Sequence, residues 1–216
     1  MCQRAVLFFA LFIRIASSAS ADVIYEITVD TLSISGTPGS LDFQFNPGPL
    51  VTQAASLQIL NFTSDGTLTA CALNIQGFCP TSDATGTLPG TVTFDNGTPF
   101  DDYFDGFTYG NSLSFDMRLY GPAINTPDGT STSGSTFAFS MFSDAAGTMP
   151  TLTTDLTDGF AATIDVNLDG TTTVTNFSSV TSIGTPGAVP EPATFAVTGI
   201  LLLGLILSRC RLTPTD

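Results

Sequence analysis

Histidine, tryptophan and lysine are all missing from the 216 residues. Without histidine there is no base of the kind that activates a cysteine nucleophile. Positive charge is nearly missing too: five arginines stand against 19 acidic residues. Four of them, Arg4, Arg14, Arg209 and Arg211, sit at the two ends, which leaves Arg118 alone against 17 acids between Asp22 and Val189. Nucleic acids and anionic lipids are thereby excluded as partners, because binding them needs cations that displace counterions. Glutamate is scarce in the same stretch, with Glu26 alone, and no G-x-S-x-G motif occurs. These absences argue against an enzyme.

The two ends read differently from the middle. Arg4 precedes an apolar run, Ala5 to Ile13, and small residues follow up to Ala19, Ser20 and Ala21. This is the pattern of a signal peptide over 1–21, with cleavage before Asp22 and export from the cytoplasm. At the other end Val189, Pro190, Glu191 and Pro192 precede a second apolar run, Phe195 to Leu207, and then Arg209 and Arg211. Counted generously from Ala193 to Ser208, the run covers about 24 Å of helix at ~1.5 Å per residue, short of a hydrocarbon core of ~30 Å. Arginines at its end are held on the cytoplasmic side, which sets the body beyond the membrane. The prolines predict an extended, protease-accessible strip ahead of it.

The ordered trio of Val-Pro-Glu-Pro at 189–192, short apolar helix and arginine-bearing end resembles the PEP-CTERM sorting signal over residues 189–216. The resemblance implies a Gram-negative bacterium, an exosortase as partner, transient residence in the inner membrane, and delivery to the cell surface or an exopolysaccharide-rich matrix. The tail from Leu212 to Asp216 departs from that pattern. The segment Leu41-Asp42-Phe43-Gln44-Phe45-Asn46-Pro47-Gly48-Pro49 is similar to one found in a group of PEP-CTERM proteins of unknown role.

Between the ends, apolar residues recur at every second position: Val23, Tyr25, Ile27, Val29; Leu41, Phe43, Phe45; Ala55, Leu57, Ile59; Val92, Phe94; Leu113, Phe115, Met117, Leu119; Phe137, Phe139, Met141; Ile164, Val166, Leu168. That period lines one face of a strand. Turn residues such as Asp95-Asn96-Gly97 and Asp169-Gly170 punctuate the runs. The expected fold class is all-β, a two-sheet, jelly-roll-like sandwich over 22–184 with about eight to ten strands, a linker at 185–188, and a C-terminal transmembrane sorting helix. Phenylalanine, 18 in the chain, suits a core that needs no hydrogen-bond partners.

Three constellations carry possible chemistry. Cys71 and Cys79 close a nine-residue ring; in an oxidising space a disulfide is the simplest reading, with a stabilisation of about 2–3 kcal/mol. Asp95, Asp101, Asp102 and Asp105 crowd a segment punctuated by turn residues and are candidate ligands for calcium, against a plain solvated acidic loop. Asp165 to Gly170 matches half of a calcium-binding loop, but its twelfth position is Asn176, and a β-hairpin turning at Asp169-Gly170 fits better. Arg118 is expected to meet a carboxylate across the sheet, with a ligand clamp as the alternative. The leading expectation is a non-enzymatic surface or matrix protein associated with exopolysaccharide. A carbohydrate-binding or adhesive module, with or without calcium, comes second, and a secreted carbohydrate-active enzyme third.

Overall fold

The computed structural model describes residues 22–69, 79–185 and 187–189. Thirteen strands fall within them: β1 Asp22–Asp30, β2 Pro38–Pro47, β3 Ser56–Ser64, β4 Thr67–Leu68, β5 Thr85–Gly86, β6 Val92–Asp95, β7 Asp102–Thr108, β8 Ser112–Tyr120, β9 Ser135–Phe142, β10 Phe160–Val166, β11 Thr172–Asn176, β12 Thr181–Ile183 and β13 Gly187–Val189. A 3₁₀ turn at Leu32–Ile34 and one short helix, α1 at Pro122–Asn125, complete the set. Sheet A runs β12-β1-β8-β3-β6-β5, with β13 also paired to β1, and sheet B runs β11-β10-β9-β2-β7-β4. Strands β1 to β4 alternate between the sheets, as do β6 to β8.

The period-two runs form the inner faces. Ile27, Leu41, Phe43, Phe45, Leu57, Ile59, Val92, Phe94, Met117, Leu119, Phe137, Phe139, Met141 and Ile164 are fully buried between the sheets. Phe43 anchors this layer: its ring meets Phe115 edge-on at 5.2 Å and Phe139 at 5.1 Å. Each such pair adds about 0.5–1.5 kcal/mol to what burial alone contributes. Leu168 departs from its run and is half exposed, because the chain leaves β10 at Val166 and turns through Leu168-Asp169-Gly170. Gly170 has φ +81°, the left-handed position that a three-residue hairpin loop requires. Asp169 accepts from the Thr171 backbone N–H and hydroxyl, and Asp165 from Thr136. The segment is therefore the hairpin of β10 and β11.

Two expectations need correction. The sequence pattern of 101–108 suggests an acidic loop, but it holds β7, which pairs with β2 over Gln44↔Asp102 to Pro38↔Thr108 and so lies inside sheet B. The transmembrane helix is the second: among the described residues no helix is long and apolar enough to cross a membrane. The place expected for it, with Pro190, Glu191, Pro192, Arg209 and Arg211, lies outside the described residues, as does the segment 1–21 read as a signal peptide. Passage through the inner membrane, and the exosortase that would act there, are withdrawn with it. Residues 187–189, which span the expected junction of linker and sorting segment, pair with Asp22–Ile24 as β13.

Candidate functional site

Strand alternation decides where the acids of β7 go. Tyr103, Asp105 and Phe107 face the core, and Asp102 and Phe104 face the outer side of sheet B. On the neighbouring β2 the outer positions are Asp42, Gln44 and Asn46, and the register sets Gln44 opposite Asp102. The Asp42 and Asp102 carboxyls lie close enough for each to shift the other, and Oδ1 of each is buried without a hydrogen-bond partner among the described residues. Two carboxyls brought together out of water favour the protonated form of one of them.

The surroundings favour that proton. Asp42 and Asp102 retain 7% and 6% of their exposure, so the outer face of the sheet is covered here. The connection after β9 contributes to this, since Gly147 packs against the Phe104 ring and Ser40 Oγ donates to Asp144 O. Gln44 Nε2 donates to Asp42 Oδ2 at 2.7 Å, and Asn46 Nδ2 donates to Gln44 Oε1 at 3.3 Å. Burial pushes the Asp102 carboxyl up to about 10, reinforced by the hydrogen bond and negative charge of Asp42. Burial raises Asp42 as well, opposed by the donors Asp102 and Gln44. Both carboxyls are thereby shifted toward their protonated forms.

The other acids of the segment do not join them. Asp105 lies in the core layer, 2% exposed, and accepts from Tyr103 Oη at 3.2 Å, while Tyr103 Oη accepts from the Leu88 N–H at 2.9 Å. Desolvation pushes Asp105 up to about 6 and Tyr103 well above its ordinary value. Asp101 is fully buried and accepts from Thr98 Oγ1 at 2.6 Å and from the Asp83 N–H at 2.7 Å; burial, then the charges of Asp83 and Asp95, raise it. Asp95 accepts from Ser56 at the exposed end of β6. Among the described residues no group of three or more acids, cysteines or histidines is arranged to hold a metal ion. The candidate calcium ligands are thus spread over an exposed strand end, a buried loop, an outer face and an inner face.

The remaining sequence candidates are simply placed. Cys79 is disulfide-bonded, and Cys71 lies outside the described residues. Arg118 meets a carboxylate across the sheet: its Nε donates to Asp22 Oδ2 at 2.8 Å, its NH1 to Gln58 Oε1 at 3.1 Å, and its guanidinium lies 4.9 Å from the Tyr120 ring centre. Asp42 escaped the sequence reading because polar residues alternating with Phe43 and Phe45 look like a wet face. The signal was the run Asp42-Gln44-Asn46 itself, three hydrogen-bonding side chains in a row along one strand.

A cavity of about 340 Å³ opens among Phe62, Leu68, Pro89 and Phe107, and neither Asp42 nor Asp102 lines it. Tyr25, Tyr103 and Tyr109 are buried, so their rings offer no shelf for a sugar. No protein-family model, curated protein or solved structure matches the chain.

Proposed function

We propose that the 22–189 body is a non-enzymatic, acidic β-sandwich of an oxidising, extracytoplasmic space, serving as a structural component of a polysaccharide matrix. The observation that carries this reading is the burial of Asp42 and Asp102, neighbours on adjacent strands. A glycosidase holds its two carboxyls about 5 Å or more apart in an open cleft so that a sugar fits between them. Here the two carboxyls are covered, 7% and 6% exposed. The disulfide at Cys79 supports the oxidising compartment. Of the seventeen acids, all but the buried Asp42, Asp101, Asp102 and Asp105 reach the surface, where they favour hydration and disfavour tight self-packing.

Incubation of the full chain with neutral and acidic polysaccharides tests it, with co-sedimentation and newly formed reducing ends read in parallel. The expected result is retention by a polysaccharide with no release of reducing ends. Reducing ends that appear with the parent chain and vanish with Asp42→Asn would overturn the reading.

A further inference from the structure

The edges of the two sheets are not alike. Sheet A ends in the two-residue β5 on one side and the three-residue β12 and β13 on the other, and sheet B ends in the two-residue β4 beside β7. The remaining edge is β11, five residues long, of which Thr173, Val174, Thr175 and Asn176 are exposed. Proteins guard such edges with charge, proline or a bulge, because unpaired backbone groups invite another strand. This edge has no such guard. No charged residue occurs between Asp169 and Glu191, although the body around it is strongly acidic.

Hydrogen bonding shows which backbone groups are free. Asn167 N donates to Thr171 O and Phe177 N donates to Ala161 O, so the residues of β11 bonded to β10 are the odd-numbered ones, Thr173 and Thr175. The N–H and C=O groups of Thr172, Val174 and Asn176 therefore point away from the sheet. The central residues of the strand, Thr173-Val174-Thr175, read the same in both directions about Val174.

We propose that β11 is a self-association edge, at which a second copy of this chain adds its own β11 antiparallel about a two-fold axis through Val174. Val174 then faces Val174 of the second copy, Thr173 faces Thr175, and Thr172 faces Asn176. The three outward positions on each strand exchange about six backbone hydrogen bonds in this register. Thr–Thr pairs across strands are favourable contacts. The neutral strand is the part of the surface where two such acidic bodies approach with least repulsion, and screening by salt strengthens the contact. An interface of one edge strand is small, so the dimer is weak and depends on concentration.

Sedimentation of the full chain over a wide concentration range, at low and high salt, tests this. The expected result is a monomer–dimer equilibrium that tightens with salt. Val174→Pro removes an outward N–H that the fold does not use, and should weaken dimerisation at least ten-fold while leaving the melting temperature nearly unchanged. Thr173→Glu with Thr175→Glu sets like charges opposite each other and should abolish the dimer, whereas Thr173→Lys with Thr175→Glu sets opposite charges together and should restore it. A parent chain that stays monomeric at every concentration, or a double-glutamate variant that dimerises as the parent does, would overturn the proposal.

Discussion

Asp42 and Asp102 stand on adjacent strands of one sheet, both buried on its outer face, and burial raises both carboxyls. A buried acid held this way makes the fold prefer protons that the unfolded chain has already released. Asp42, Asp101, Asp102 and Asp105 all have folded values raised above 3.8, Asp105 to about 6 and Asp102 to about 10. Their stabilising effect is complete below the unfolded value and is lost as pH rises through the folded values.

Stability should therefore rise as pH falls from 8 to about 4.5. The opposite loss sets in as pH falls through the ordinary carboxylate range, where the unfolded chain takes up protons that Asp65, Asp128, Asp144 and Asp169, lowered by hydrogen-bond donors, do not yet take up in the fold. Thermal melts across this range check the prediction. A maximum at neutral or alkaline pH would contradict it.

Asp102→Asn replaces a buried carboxyl with an amide of nearly the same shape. At neutral pH this should stabilise the body by about 1–2 kcal/mol, since a buried pair of acids is costly to maintain. The pH dependence of stability between about 6 and 10 should flatten at the same time. Chemical denaturation of parent and variant at pH 5 and pH 8 reads both effects.

Phe43→Ala opens a cavity where three aromatic rings converge, Phe115, Phe139 and Tyr103. The cost should be about 3–5 kcal/mol, enough to threaten folding at 37 °C. Denaturant midpoints measure it, with the slope of the transition unchanged.

Calcium and magnesium at matched ionic strength should give the same melting temperature, because the acids once grouped as ligands point to different places. A calcium-specific rise that disappears in Asp101→Ala with Asp102→Ala would contradict this.

The sheets were legible because burial between them demands alternation, and each run from Tyr25–Val29 to Ile164–Val166 shows it plainly. Strand β7 was not, because Asp102 and Asp105 occupy opposite faces and erase the apolar–polar contrast that marks a strand. Asp101, Asp102 and Asp105 stood out by spacing, but spacing along a chain says nothing about which face each acid takes. Asp42, distant in sequence, reaches Asp102 only through the register of β2 and β7, and register is a property of the assembled sheet. The expectation of a transmembrane helix followed apolar length and flanking charge alone, and lies outside the described residues.

The most direct measurement is a carboxyl ¹³C NMR titration of the Asp42 and Asp102 side chains from pH 3 to pH 11. One carboxyl of the pair should remain protonated through neutrality and titrate near pH 10, in parallel with a fall in stability. If both carboxyls titrate near 4 and are ionised at pH 7, the pair is open to water, and the non-catalytic reading of this body is contradicted.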